Sequence, residues 1–301
     1  MLILKLLLAP GLVVASSLAG RRWGPALTGT LVALPIVAGP ILFITCLEHG
    51  PGFAARAAGA SLLGLVSLAL FVVVFALLSR TVRTGHWSVT LVLAWSLCLV
   101  ADPALSLLSV PPLLALCLSL AATACGARAL GRTTPGGEVT ATPRPPRWDL
   151  PARAAATALL VTVLTTAASH LGPDLTGVLA PFPIGTSVVA TFALAQGGAS
   201  VAEATLRGVL RGLLGFAVFC FLVAELTEPL GGGPAFGIAV ACALALQLVA
   251  GRLRAARTAR RAPAPFAPAT AAPGQPAPAT AAPATAAPAT VAPGTAARNR
   301  R

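Results

Sequence analysis

The sequence predicts an all-α, polytopic transmembrane helix bundle of about nine spans with an inverted internal repeat. Three observations lead there: long apolar runs, arginine pairs set between them, and a Gly/Pro-containing motif that recurs at constant register. The chain of 301 residues is 56% hydrophobic and only 10% charged, with a mean hydropathy of +0.87, far from the average of soluble domains. Met1 to Gly20 carries a single charge, Lys5, and Trp87 to Ala127 carries only Asp102. Apolar runs of about 18 residues or more are membrane spans by length.

The net charge is +13. A basic balance of this size is also a feature of nucleic-acid-binding proteins. Here, however, the arginines stand in pairs between apolar runs, as Arg21 and Arg22, Arg80 and Arg83, Arg128 and Arg132, Arg252 and Arg254. That is the pattern of loops retained on the cytoplasmic side of a membrane, so no nucleic-acid partner is expected. The lipid bilayer is the expected partner, with the cell (inner) membrane as the location. All six cysteines fall inside apolar runs, without Cys-x-x-Cys or metal-ligand spacing, and read as small buried hydrophobes. No metal and no cofactor are expected.

Taken in order, the spans are expected near 2–20, 25–47, 57–78, 87–102, 110–127, 154–170, 175–195, 205–226 and 232–251. The first run could be a secretory signal, but Arg21 and Arg22 follow it directly and residues 154–169 stand in the same place in the second half. His86 to Leu130 is more than twice the roughly 20 residues one crossing needs. It therefore holds two crossings, or one and a re-entrant piece, with the turn between Asp102-Pro103 and Pro111-Pro112, where proline disfavours helix.

Four regions result. Residues 1–130 form a first membrane repeat plus one extra span, and 131–152 a cytoplasmic Pro-rich linker. Residues 153–252 form a second membrane repeat. Residues 253–301 form a cytoplasmic Arg-containing Pro/Ala/Thr tail, whose composition buries too little to fold and which suits a protein partner.

The repeat is the most specific signal. Trp23-Gly24-Pro25-Ala26-Leu27-Thr28-Gly29-Thr30-Leu31 matches Leu171-Gly172-Pro173-Asp174-Leu175-Thr176-Gly177-Val178-Leu179 at an offset of 148. The same offset, without gaps, pairs Pro35-Ile36 with Pro183-Ile184, Gly50 with Gly198, Gly64-Leu65 with Gly212-Leu213 and Phe71 with Phe219. Five spans in the first half make the second copy inverted, whereas an eight-span arrangement does not. Charge bias alone does not separate the two arrangements, and length favours nine.

Leu175-Thr176-Gly177-Val178-Leu179-Ala180-Pro181-Phe182-Pro183-Ile184, with Leu206-Arg207 and Gly212 opening the next span, resembles the GlpM family of small bacterial inner-membrane proteins. The resemblance covers about one third of the chain per copy and implies a membrane fold without catalytic residues. This chain departs from it in being duplicated and in carrying a tail.

Pro35 and Pro183 occupy equivalent spans. Broken helices at matching positions of an inverted repeat point to a transport site near the midplane, while the plainer alternative is a packing kink. Thr28, Gly29, Pro35, Thr176, Gly177 and Pro183 are the candidate substrate-binding residues, for a small molecule. Thr28-Gly29 and Thr176-Gly177 are also small surfaces at which the two second spans should meet, whereas Gly20 is expected in a loop.

Glu48, His49, His170 and Asp174, with Glu225 and Glu228, are expected at the outer face, as a polar cluster or as solvated loop residues. Glu203, Arg207 and Arg211 form a row four residues apart, suited to lipid phosphate or to snorkelling. Catalytic motifs such as His-Glu-x-x-His, Gly-x-Ser-x-Gly or a P-loop are absent from the sequence, so no enzyme is expected. A secondary-transporter-like or permease-like protein is the leading expectation. The alternative is a membrane scaffold or accessory subunit without transport activity.

Overall fold

The computed structural model describes residues 2–34, 38–81, 86–108, 110–132, 146–171 and 182–261. Among these the structure is helical, with no strand. The linker residues 133–145, the second copy of the motif at 172–181, Pro35 and the Pro/Ala/Thr tail from 262 lie outside the described residues. Met1–Ala255 is one compact unit and Ala256–Arg301 a second, of which 256–261 are helical.

The first helix, α1 (Leu2–Trp23), carries Arg21 and Arg22 in its last turn, where cations complement the carbonyl end of the dipole. It is stopped by Gly24, whose N–H donates to the Gly20 carbonyl at 2.8 Å. Pro25 then opens α2 (Pro25–Val32), since proline's missing donor costs nothing at a first helical position. The second span is thus not one helix: α2 ends at Val32, and α3 (Ala38–His49) starts only after the stretch containing Pro35.

Gly50, at φ 86, separates α3 from α4 (Pro51–Thr81). Next come α5 (Trp87–Ser106) and α6 (Pro112–Arg132). The turn between them lies inside the window set by the prolines, although Asp102-Pro103 itself stays within α5. Asp149 begins α7 (Asp149–Leu171), so the segment read as linker through residue 152 already contributes a first helical turn, with Pro151 tolerated there. The long α8 (Ile184–Leu230) is two helices meeting at Gly198, whose φ of 72 and ψ of −173 are not helical. After Gly231, α9 (Gly232–Arg261) continues past the expected end near 251, because arginine and alanine are good helix formers.

The offset of 148 carries Leu2–Trp23 onto 150–171, one residue from the bounds of α7, and Pro51–Thr81 onto 199–229, the second segment of α8. Gly50 and Gly198, paired by the same offset, both have positive φ.

Five helices among the described residues are long and apolar enough to cross a membrane: α4, α5, α6, α8 and α9. By length and composition the chain is an integral membrane protein. The apolar windows of α4 and α8 are each 56% buried, against 22% to 28% for the other three. Thus α4 and α8 form the centre, around Leu62, Phe71, Phe75, Leu206, Leu213 and Phe219, and the apolar outer faces of α5, α6 and α9 are left for lipid. Helix α1 packs on α7, and α2 packs on α8. The cysteines divide accordingly: Cys46, Cys98 and Cys220 are buried, but Cys117, Cys125 and Cys242 are exposed, a correction to the reading of all six as buried, because apolar surface toward lipid needs no burial in protein.

Candidate functional site

The motif Gly24-Pro25-Ala26-Leu27-Thr28-Gly29-Thr30-Leu31 makes a close helix crossing with α8. A Cβ on Gly29 would stand 1.9 Å from the Thr205 carbonyl oxygen of α8, and one on Gly208 would stand 1.9 Å from the Ala26 oxygen. A Cβ on Gly212 would lie 2.6 Å from both the Ala33 Cβ and the Thr30 oxygen. The Thr30 hydroxyl lies 3.0 Å from the carbonyl oxygens of Ala26 and Gly208, and so can donate across the crossing. Small residues on both sides allow this contact, as in lipid-embedded helix pairs generally.

The partner of Gly29 is therefore the third span of the second half. Whether Gly29 also meets Thr176-Gly177 falls outside the described residues. Thr28 is buried and lies against Gly20, whose added Cβ would be 1.6 Å from the Thr28 Oγ1. Gly20 is thus a helical packing residue of α1 and not a loop residue, a correction to the expected tolerance at that position.

Pro183 is the cap residue immediately before α8, at φ −77 and ψ 56. Beside it, the Trp95 indole of α5 donates from Nε1 to the Ser187 Oγ at 2.8 Å, and its ring lies 5.3 Å from that of Phe182. Of the expected outer cluster, Glu48 and His49 end α3 and are exposed, with the His49 ring stacked on Phe53 at 4.9 Å. His170 is in the last turn of α7, its side chain not among those described, and Asp174 lies outside the described residues. Glu225 and Glu228 are exposed.

Three buried carboxylates emerge instead. Asp149, 1% exposed, accepts from Arg21 Nη2 at 2.9 Å, Arg153 Nε at 2.8 Å and Gln196 Nε2 at 2.6 Å. Arg153 in turn lies over the Phe192 ring at 4.9 Å. Burial opposes ionisation of Asp149, but the hydrogen bonds from Arg21, Arg153 and Gln196 outweigh it and hold the carboxyl below the usual carboxylate range. Glu203 accepts from Arg80 Nε at 2.5 Å and lies 3.8 Å from Arg207 Nη2. The row Glu203, Arg207, Arg211 is thus partly spent on an ion pair to α4, which sequence spacing alone does not reveal.

The third is Asp102, 5% exposed on α5. It is in none of the ion pairs among the described residues, and its Oδ1 has no hydrogen-bond partner. Ser67 of α4 stands beside it, and the Cys98 Sγ, one turn earlier on α5, reaches the Ser67 carbonyl oxygen at 3.8 Å. The Oγ atoms of Ser67, Thr90 and Thr191 are likewise buried and unpartnered. Asp102, Ser67 and Cys98 thus make a small polar group between α4 and α5. In the sequence Asp102 served only as a turn marker, although a lone acid in an apolar run is itself a signal.

No family model, no curated protein and no solved structure matches this chain.

Proposed function

We propose that the chain is a non-enzymatic, permease-like membrane protein of the secondary-transporter kind, built from an inverted repeat of GlpM-like units with nine spans. The observation that carries this reading is that α2 ends at Val32, ahead of Pro35, and that α8 begins directly after Pro183, the counterpart of Pro35 at the offset of 148. In lipid, each backbone group freed by a break costs several kcal/mol unless protein or cavity water satisfies it. Helices that end or begin at matching prolines of two halves point to a substrate site at the repeat interface. Trp95, Phe182 and Ser187 around Pro183 supply an aromatic face and a hydroxyl for a small molecule.

Two ion pairs support the inverted arrangement. Arg21–Asp149 joins the C-terminal end of α1 to the N-terminal end of α7, and Arg80–Glu203 joins the C-terminal end of α4 to the start of the second segment of α8. In both cases the offset of 148 makes the two helices counterparts, and in both they meet end to opposite end. Arg21 beside Asp149 also fits an even number of crossings between them, as in the nine-span arrangement. The arginine-rich end then faces the cytoplasm, with the tail on that side.

The test uses single cysteines at Val32, Ser187 and Thr191 in a variant lacking the six native ones, in sealed vesicles exposed to a membrane-impermeant thiol reagent from either side. The transport reading expects reaction at these positions in the folded protein. Refusal from both sides, with reaction only after denaturation, would favour the scaffold, a reading for which the close Gly29–Gly208 crossing is the physical argument.

A further inference from the structure

The described carboxylates fall into three groups. Glu48, Glu225 and Glu228 are exposed, and Asp149 and Glu203 are buried beside arginines. Asp102 alone is buried, within a membrane-crossing helix, and in no ion pair among the described residues. Its place follows from the bounds of α5. Asp102 lies about 22 Å from the Trp87 end and about 6 Å from the Ser106 end at 1.5 Å per residue, toward the end of α5 that turns into α6.

An ionised carboxylate there, without a counter-ion, costs several kcal/mol. A proton removes that cost. A sodium-sized cation needs several oxygen ligands at once. Here the groups beside the carboxyl are one hydroxyl, one thiol and a Ser67 carbonyl already facing that thiol, a poor set for a hard cation.

We propose that Asp102 is an exchangeable proton-binding site buried within the helix bundle, seated against Ser67 and Cys98. Thr90, Ala94, Cys98 and Asp102, four residues apart, are all buried on one face of α5. Cys98 is the titratable neighbour that senses the Asp102 charge. On α4, the nearest charges, Arg56 and Arg80, lie about three helical turns from Ser67 in either direction, and on α8 they are Glu203, Arg207 and Arg211, beyond Gly198. Resting on the transport reading, the proposal makes the proton its coupling ion.

The test is modification of the full chain, in native membranes, by an apolar carbodiimide, read by peptide mass spectrometry. The reagent takes the carboxylic proton, its carbon is attacked by the carboxyl oxygen, and the adduct rearranges to a stable N-acylurea, so only a protonated carboxyl in apolar surroundings reacts. The expected result is an adduct on Asp102 that diminishes as pH rises, is lost in Asp102→Asn and is unchanged by sodium or lithium at fixed pH. Asp149, held ionised by Arg21 and Arg153, should stay unmodified. Ser67→Ala should extend labelling to higher pH and Ser67→Thr should restore the parent profile.

Protection by sodium or lithium would overturn the proposal in favour of a cation site. If the reagent cannot reach Asp102, infrared difference spectra decide: a carboxylic C=O band that responds to pH and vanishes in Asp102→Asn sustains the proposal, and its absence overturns it. Failure of the transport reading shows separately, as cysteines near Pro183 that refuse reagent while Asp102 still labels.

Discussion

Arg21 and Asp149, 128 residues apart in sequence, hydrogen-bond at 2.9 Å. The contact ties the end of α1 to the start of α7, and Gln196, just before the Gly198 break, is drawn into the same knot. Arg21 is 34% exposed and Arg153 10%, so the two arginines do not weigh equally. Exposed pairs contribute about 1 kcal/mol or less, whereas removing one partner of a buried pair costs about 3 to 5 kcal/mol. Arg21→Ala should therefore lower stability by about 1 kcal/mol or less, and Asp149→Ala by about 3 kcal/mol, since it strands Arg153. Reversible unfolding in mixed micelles measures both.

The same carboxyl sets an acid dependence. Its folded-state pKa lies below the unfolded value, so its contribution is complete above about pH 4 and is lost as pH falls through the folded value. Stability should fall on acidification in the parent and fall less in Asp149→Asn. Equal slopes would show that Asp149 ionisation is not linked to folding.

Much of the architecture was legible because apolar length and proline position act locally. The turn before Pro112, the start of α8 after Pro183 and the interruptions at Gly50 and Gly198 are each written in the residues that make them. The buried acids were not, for separate reasons. Asp149 lies in a Pro-rich stretch, and its partner Arg21 is in the other half of the chain. Asp102 precedes a proline and so resembles a turn, yet α5 continues through Pro103, which costs little in the last turns of a helix held by its neighbours. The crossing partner of α2 was missed because the expectation followed the repeat, pairing like with like. Close packing follows the smallest available surface, which Gly208 and Gly212, one turn apart on α8, provide.

Gly50 and Gly198 should be equivalent in energy as well as in register. Each has a positive φ, 86 and 72, a conformation that costs a side-chain-bearing residue about 1 to 3 kcal/mol. Alanine at either position should lower stability by about that amount, although an added Cβ on Gly50 has no atom within 4 Å. Parity of the two losses, measured by the same unfolding assay, would match the register. A neutral Gly198→Ala would mean that α8 runs straight through.

The crossing of α2 on α8 gives the sharpest test of how the halves are joined. Gly29 and Gly208 each stand where a methyl group would meet a backbone carbonyl oxygen at 1.9 Å, and backbone cannot turn aside as a side chain can. Gly29→Ala or Gly208→Ala must therefore push the helices apart, losing the packed contact and the Thr30 hydroxyl bond to the Gly208 oxygen. Overpacking of this kind costs about 1 to 3 kcal/mol, and the lost interhelical hydrogen bond adds about 0.6 kcal/mol. Thr30→Val, which keeps the shape and removes the donor, should show the second cost alone. Gly237→Ala on α9, where an added Cβ has no atom within 4 Å, should stay within about 0.5 kcal/mol of the parent. Gly20→Ala should behave like the crossing variants, since its Cβ would strike the Thr28 hydroxyl, although a rotamer change at Thr28 can absorb part of the strain. A Gly208→Ala protein as stable as Gly237→Ala would remove this crossing as the joint between the halves.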